Sequence, residues 1–263
     1  HPHPDHETHH RTVTGVEGKM TSILSIANEK GGVAKTTTAL SLGGALVELG
    51  HTVLMVDLDP QSNLSLSLGC EPEYDHKSFI NLVVENLTPD QVIRPTEIER
   101  MNLLPANKEI GLAERMLPAR SEYESLLKKI IDSLGDRFDF VVIDCPPFLG
   151  ALTLNALHAS NLLIIPTQAE YYSVFALRNM MALIRQVRGS GNPGLRYRLL
   201  ITLFDKRNGI HRTLAEHLRK TFSNGVLESV IEVDTKLRES PIAGLPINYH
   251  STKSRSAMQY RFL

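Results

Sequence analysis

The chain of 263 residues is predicted to be an α/β protein with a doubly wound, mostly parallel sheet and helices on both faces of that sheet. Three observations favour this fold class. Short apolar runs that resemble buried strands alternate with helical patterns along the chain. The first two runs flank a Gly-rich turn and one helical pattern, as in a strand–helix–strand unit. The hydrophobic share of 42% is typical of a protein with its own core.

The first unit is predicted as a strand over Ser22–Ala27, a helix over Lys35–Leu49 and a second strand over Thr52–Leu58. The same alternation predicts four more strands and three more helices. The strands are expected at Asn102–Leu104, Phe138–Ile143, Leu162–Pro166 and Arg198–Leu203. The helices are expected at Glu122–Leu134, Ser173–Val187 and His211–Phe222.

Residues 1–19 are excluded from the predicted fold, because they contain crowded histidines and no apolar periodicity. Such histidines suit a metal site, but a tag or tail ahead of a start at Met20 is the favoured interpretation. Residues 20–263 are expected to form one domain without internal repeats. The clearest loop is predicted at Gly189–Gly194, which is too short to separate two domains.

The composition excludes several classes of protein. No run of eighteen apolar residues occurs, so no membrane span is expected. The two cysteines, Cys70 and Cys145, form no Cys-x-x-Cys pair and indicate neither a disulfide framework nor a zinc site. A cytoplasmic location is therefore expected. Cys145 is interpreted as a small buried residue rather than a cluster ligand or nucleophile.

The charge is unevenly distributed along the chain. The formal net charge is −1, yet residues 181–263 hold 14 Lys and Arg against 6 Asp and Glu. This excess is compatible with a polyanionic partner such as nucleic acid. The alternative is that these charges lie on solvated helix faces.

A candidate phosphate site follows the first predicted strand, where residues 29–37 read EKGGVAKTT. Gly31 and Gly32 allow the backbone N–H groups to curl around phosphate oxygens, and the helix that follows adds its positive end. Lys35 is predicted to contact the β- and γ-phosphates. Thr36 is predicted to ligate Mg²⁺ and Thr37 to reach the α-phosphate. A glycine pair alone would indicate only a tight turn, but the combination predicts a phosphate-binding loop.

Three carboxylates are predicted near this loop. Asp57 and Asp59 end the second strand, where alternation would point both in one direction. The alternative is that they cap a turn before Pro60. Asp144 follows an apolar strand and is predicted to hold Mg²⁺ through water.

The run Lys30-Gly31-Gly32-x-x-Lys35-Thr36-Thr37 resembles the deviant Walker A box of the ParA/MinD/Soj ATPases. The resemblance implies ATP with Mg²⁺ as the ligand and an ATP-sandwich homodimer in which Lys30 crosses the interface. It implies that Asp59 activates the attacking water and that Asp57 lies near the Mg²⁺ shell. The family usually has glycine at the position of Ala34, which bears on the hydrolysis rate.

The predicted site therefore has four groups. The nucleotide-binding residues are Lys30, Gly31, Gly32, Val33, Ala34, Lys35, Thr36 and Thr37. The catalytic residues are Lys30, Lys35 and Asp59. The metal residues are Thr36, Asp57 and Asp144, and the DNA-binding residues, by resemblance to Soj-like proteins, are Arg207 and Lys236.

The resemblance extends to the end of the chain, with two departures. Residues 232–234 stand where relatives usually carry a Pro-Arg-Asn-like run, and the given chain ends before the last helix of the family would normally finish. The leading hypothesis is a partition-type ATPase that binds DNA non-specifically, associates with the nucleoid and acts with a ParB-like adaptor. A MinD-like membrane-cycling regulator is the alternative, but the basic amphipathic tail of MinD is not found here. An electron carrier would need paired cysteines, and a kinase of this loop family would need a tyrosine cluster. The cargo is left open.

Overall fold

The computed structural model describes residues 19–71 and 76–263. The histidine-rich segment and all of the tail predicted over residues 1–19, except Lys19, lie outside the described residues. Eight strands form one sheet in the order β3-β4-β2-β5-β1-β6-β7-β8. They are β1 (Ser22–Ile26), β2 (Val53–Asp57), β3 (Arg94–Pro95), β4 (Met101–Leu104), β5 (Phe140–Asp144), β6 (Leu162–Gln168), β7 (Arg196–Phe204) and β8 (Val226–Glu232).

The strands pair in parallel, except that β3 is antiparallel to β4 at one edge of the sheet. The predicted fold class is thus confirmed. Both ends of each of the six strands expected from the sequence lie within two residues of the observed ends. The two strands that were not predicted, β3 and β8, lie at the two edges of the sheet.

Twelve α-helices surround the sheet in the described part of the chain. They are α1 (Lys35–Glu48), α2 (Asn63–Ser67), α3 (Phe79–Val84), α4 (Ala113–Met116), α5 (Leu126–Asp132), α6 (Ala151–Ala159), α7 (Ser173–Ala176), α8 (Arg178–Ser190), α9 (Gly209–Phe222), α10 (Thr235–Ile242), α11 (Ile247–His250) and α12 (Arg255–Arg261).

The two faces of the sheet carry separate apolar cores. Along β2, Leu54 and Val56 point into one core, whereas Val53 and Met55 point into the other. This is the two-residue alternation of a strand that is buried on both sides. Helices α3, α5, α6, α8 and α9 cover the first face, and α1, α2, α10, α11 and α12 cover the second. The helices therefore lie on both faces, as predicted.

Two predicted boundaries need correction. Helix α8 continues through Gly189 to Ser190, so the loop predicted at Gly189–Gly194 begins only at Gly191. The chain leaves the helix there because the backbone N–H of Asn192 bonds back to the carbonyl of Val187 at 3.0 Å. The predicted helix over Ser173–Val187 is instead two helices, α7 and α8, with Leu177 between them.

The topology places the site. Strand β1 lies between β5 and β6, and the chain passes from β1 to β2 on one side and from β6 to β7 on the other. In open α/β sheets, ligands bind at the carboxyl ends of the strands where the order reverses in this way. Within the described residues, no helix combines the length and apolar character needed to cross a membrane.

Candidate functional site

The loop between β1 and α1 has the backbone of an anion cradle. Gly32 has φ of 73° and Ala34 has φ of 66° with ψ of 37°, so both adopt the left-handed conformation. Helix α1 begins at Lys35 and no side chain caps its first N–H groups. Because these donors are unpaired by side chains and carry the positive end of the helix dipole, they suit a phosphate group.

Neighbouring strands hold this loop in place. Val33 is fully buried, and its carbonyl accepts a hydrogen bond from Thr202 Oγ1 of β7 at 3.0 Å. Asn28 donates from Nδ2 to the carbonyl of Pro166 in β6 at 2.7 Å. Its Oδ1 accepts from the backbone N–H of Lys30 at 3.0 Å. The loop is therefore fixed by contacts that do not involve a nucleotide.

Lys35 is a buried cation at the mouth of the cradle. Its side chain is only 7% exposed, and Nζ donates to the carbonyl of Lys30 at 2.9 Å. Burial lowers the pKa of the ammonium group, while the negative charges of Asp144 and Asp59 oppose that shift. A buried cation that bonds a neutral carbonyl gains strongly from an anionic ligand. This is the position predicted for a phosphate-binding lysine.

Thr36 and Asp144 form a pair at the end of β5. Thr36 Oγ1 donates to Asp144 Oδ2 at 2.7 Å. The second oxygen, Oδ1, is buried without a hydrogen-bond partner among the described residues. Burial and the nearby charge of Asp57 raise the pKa of Asp144 well above its usual value. A hydroxyl and a carboxylate with an unused oxygen are ligands that suit Mg²⁺, so the residues present fit the cation expected here.

Asp57 is engaged by the protein itself. It pairs in register with Asp144 across β2 and β5 and is fully buried. Its Oδ2 accepts from Ser65 Oγ at 2.6 Å and from the Ser65 N–H at 2.9 Å, and its Oδ1 accepts from the N–H of Asp59 at 3.0 Å. Burial raises its pKa to about 6 against these hydrogen bonds. Its carboxylate thus anchors α2 beside the site, whatever further contact it makes to a metal shell.

Asp59 lies beyond the end of β2, so the strand alternation used to orient it stops at Asp57. Its Oδ1 accepts from the Gln61 N–H at 2.9 Å, which is a turn contact. Burial raises its pKa, and the charge of Lys35 counteracts that shift. The hydrogen bond from Gln61 agrees with the turn-capping interpretation. The same carboxylate is also influenced by the positive charge of Lys35.

Lys30 points away from the cradle. Its Nζ donates to Gln168 Oε1 at 3.2 Å and forms an ion pair with Glu170. Both partners follow or end β6, and both charged side chains are partly exposed. Exposed pairs of this kind are worth only about 1 kcal/mol or less, so a phosphate could displace Glu170 from Lys30.

Cys145 is completely buried directly after Asp144, as predicted for a small core residue. Burial raises the pKa of the thiol well above its usual value. Both Cys70 and Cys145 are free thiols. No group of three or more His, Cys, Asp or Glu side chains in residues 19–71 and 76–263 is arranged to hold a metal ion.

Arg207 and Lys236 follow the neighbouring parallel strands β7 and β8, at the same sheet edge as the cradle. Arg207 follows β7, and Lys236 is the second residue of α10, after β8. The Val233 N–H donates to the Phe204 carbonyl at 3.1 Å and so joins the segments that follow the two strands. Each cation has a carboxylate partner, Asp205 for Arg207 at 3.2 Å and Glu239 for Lys236 at 3.1 Å. Both cations remain largely exposed.

Several residues of the site escaped the sequence interpretation. They are Asn28, Ser65, Gln168, Glu170 and Thr202. Asn28 has a local signal, because Asn before a turn often accepts a hydrogen bond from the N–H two residues on. Ser65 contacts Asp57 eight residues away, and the other three residues contact the loop from more than 130 residues away, so the sequence carries no pattern for these contacts.

Comparison with known proteins agrees with this geometry. The AAA_31 family, described as an AAA domain, matches residues 21–197. The sporulation initiation inhibitor protein Soj of Bacillus subtilis is 35% identical over 242 residues, which cover 92% of this chain and 96% of that protein. The chromosome partitioning protein ParA of Myxococcus xanthus is 34% identical over 239 residues, or 90% of this chain and 84% of that one.

A solved structure is similar along almost the whole chain. It is a cobyrinic acid a,c-diamide synthase from Mycobacterium smegmatis with bound ADP and magnesium. The TM-score is 0.82 at 37% identity, and the match covers 92% of each chain.

Proposed function

Because the chain belongs to the ParA/MinD/Soj family of P-loop ATPases, we propose that its ATP-bound dimer binds DNA without sequence preference. We further propose that it positions DNA or another large cargo with an adaptor protein. The chain is an ATP hydrolase of the ParA type, and ATP with Mg²⁺ is its ligand. The observation that carries the proposal is the buried Lys35 beside the Thr36–Asp144 pair, at the same sheet edge as Arg207 and Lys236.

In this proposal the cradle binds the nucleotide and the carboxylates divide the remaining tasks. The N–H groups of residues 31–34 and the Lys35 ammonium bind the β- and γ-phosphates. Thr37 contacts the α-phosphate. Thr36 and Asp144 hold Mg²⁺, which neutralises charge on the phosphate oxygens when bound. Asp57 positions α2 and borders the metal shell.

Asp59 orients the attacking water and accepts its proton. Its raised pKa makes it a better base than an ordinary exposed carboxylate. The neighbouring charge of Lys35 opposes this rise in pKa, so proton acceptance and phosphate binding depend on each other. We expect hydrolysis by the protein alone to be slow, because a long-lived bound state is what an ATPase that acts as a timer requires.

We assign DNA binding to Arg207, in the loop after β7, and to Lys236, in the first turn of α10 after β8. Arg207 and Lys236 exchange their partners Asp205 and Glu239 for phosphates at little cost, because exposed ion pairs contribute little stability. One subunit offers few phosphate contacts. A dimer offers two such patches to one duplex and gains from effective concentration. Lys30 takes part in this switch by leaving Glu170 for the nucleotide of the second subunit.

Production of a fluorescent fusion in a bacterial cell tests this function, since non-specific DNA binding does not depend on the host sequence. The wild-type fusion should coincide with the nucleoid. An Arg207→Ala, Lys236→Ala double variant should spread through the cell, while an Arg115→Ala, Arg120→Ala control, which removes two exposed arginines elsewhere, should stay on the nucleoid. A fusion that outlines the cell envelope would instead support the MinD-like alternative.

A further inference from the structure

Helix α6 is capped by a glutamate from another part of the chain. The helix begins directly after Gly150, which has no side chain that could accept its first N–H groups. Glu114 of α4 supplies the acceptors: Oε2 accepts from the Ala151 N–H at 2.5 Å and Oε1 from the Leu152 N–H at 3.0 Å. Both hydrogen bonds are charge-assisted and lie at the positive end of the helix, so the contact is a strong one. Glu114 therefore fixes the position at which α6 begins.

The contact leaves no room for a side chain at residue 150. A Cβ at Gly150 would overlap Glu114 Oε2 and would lie 2.7 Å from Glu114 Cδ. The backbone of Gly150 has φ of −104°, which alanine adopts without strain. Glycine is therefore required here by the carboxylate of Glu114 and not by the turn itself.

The loop before α6 begins at the candidate metal residue. Residues 145–150 alone connect Asp144 of β5 to the first turn of α6. Pro146 and Pro147 fix two φ angles of this loop and make it stiff. Because the loop is short and stiff, the position at which α6 begins also determines where the loop lies relative to Asp144.

The chain just before Glu114 also contacts the loop that carries Asp59. A Cβ at Gly111 would lie 3.7 Å from Pro60 Cγ, which is an ordinary van der Waals distance. Pro60 directly follows Asp59 in the chain. Residues 111–114 thus join the Asp59 loop to the start of α6.

We propose that Glu114 is a positioning residue for ATP hydrolysis, which holds the loop after Asp144 in place relative to Asp59. A displacement of about 1 Å between reacting groups can slow a reaction by about 10²-fold. The cradle is held separately by contacts to β6 and β7. Loss of Glu114 should therefore slow the hydrolysis of bound ATP and leave ATP affinity unchanged. The proposal rests on the roles that the proposed function gives to Asp59 and Asp144.

Single-turnover hydrolysis of bound ATP tests the proposal through a double-mutant cycle. Glu114→Ala and Gly150→Ala should each lower the rate by about tenfold, the first by removing the cap and the second by displacing it. In the double variant the new Cβ no longer meets the carboxylate, so Gly150→Ala should cost less than about twofold beyond Glu114→Ala. The matched controls are Glu124→Ala, at a half-buried glutamate, and Gly189→Ala, whose Cβ would have no atom within 4 Å. Both controls should keep the wild-type rate.

Isothermal titration with ATP separates positioning from folding. All variants should bind ATP with unchanged stoichiometry and with an affinity within about twofold of wild type. The proposal is overturned if Glu114→Ala hydrolyses bound ATP at the wild-type rate, if the two losses multiply in the double variant, or if stoichiometry falls in step with the rate.

Glu114→Gln carries the test if Glu114→Ala does not fold, because glutamine keeps the shape and one acceptor oxygen. The rate should fall by about threefold with unchanged ATP affinity, and a wild-type rate would overturn the proposal. Asp59→Ala, measured in parallel, distinguishes the two proposals. A wild-type rate in Asp59→Ala would contradict the hydrolysis site of the proposed function, whereas a wild-type rate in the Glu114 variants alone contradicts only the positioning role.

Discussion

Lys35 carries the strongest prediction at the level of single residues, because its ammonium group is buried and hydrogen-bonded to a neutral carbonyl. Lys35→Ala removes the charge that meets the phosphates, so ATP affinity should fall below detection in isothermal titration. Lys77→Ala, a partly exposed lysine outside the site, is a suitable control. Unaltered ATP affinity in Lys35→Ala would show that the phosphate site is elsewhere.

Substitutions at Asp59 and Lys30 should affect different steps, the first ATP hydrolysis and the second dimer formation. Asp59→Ala should keep ATP and form a stable ATP-dependent dimer while turnover falls by about 10²-fold or more, because a general base is removed. Lys30→Gln should weaken the dimer, since its charge is assigned to the nucleotide of the second subunit. Sedimentation velocity with ATP distinguishes them, and a Lys30→Gln protein that dimerises like wild type would remove the proposed role of Lys30.

For single residues, the sequence predicts the chemical groups of the candidate site better than the partners of their side chains. The cradle, Lys35, Thr36 and Asp144 can be identified because their residue types and spacing are local. The partners of Asp57 and Lys30 cannot, since Ser65 and Glu170 meet them only after folding. Ala34 shows the same contrast: its place in the loop can be read from the sequence, but its backbone conformation cannot. Its φ of 66° explains why glycine is usual there, and an L-residue in this conformation costs roughly 1–2 kcal/mol.

Among the elements, α1 is the one that positions the site, and the last helices brace it. Tyr260 of α12 is buried, and its hydroxyl bonds Thr38 Oγ1 at 2.9 Å. Asn248 of α11 donates to the Gly44 carbonyl at 3.1 Å. A Cβ at Gly44 would come within 2.4 Å of Asn248 Oδ1 and of Pro246, so this helical glycine permits the close packing of α11.

Tyr260→Phe tests the brace. The change removes one buried hydrogen bond and keeps the ring, so the free energy of unfolding should fall by about 1 kcal/mol. Tyr249→Phe, which removes a partly exposed hydroxyl on α11, should change stability by less than about 0.5 kcal/mol. Urea denaturation measures both. Equal stabilities of wild type and Tyr260→Phe would contradict a stabilising role of this hydrogen bond.

The limits of the six central strands were predicted to within two residues, whereas β3 and β8 were not predicted. The difference has a physical cause. Central strands are buried on both faces and therefore read as continuous apolar runs, but β3 has only two residues and β8 is only partly buried. The pair of glycines in α1 likewise has no explanation until Met55 and Asn248 are seen to pack against them.

At the level of the whole molecule, the nucleotide site and the proposed DNA site lie along one edge of the sheet. The phosphate loop follows β1, and the two candidate DNA residues follow β7 and β8 at the same edge. Residues 181–263 carry an excess of eight positive charges. Since the proposed contacts are to phosphates, loss of Arg207 or of Lys236 should weaken binding to every sequence alike and lower the salt slope of log affinity by about 0.9 for each contact.

Fluorescence anisotropy of a labelled DNA duplex tests the central claim most directly, with ATP and Mg²⁺, with ADP and Mg²⁺, and without nucleotide, each at two salt concentrations. The hydrolysis-deficient Asp59→Ala protein prolongs the ATP state. We expect tight, salt-sensitive and sequence-independent binding with ATP, and weak binding in the other two states. Equal affinity in all three states, or no binding in any, would contradict a nucleotide-controlled DNA switch.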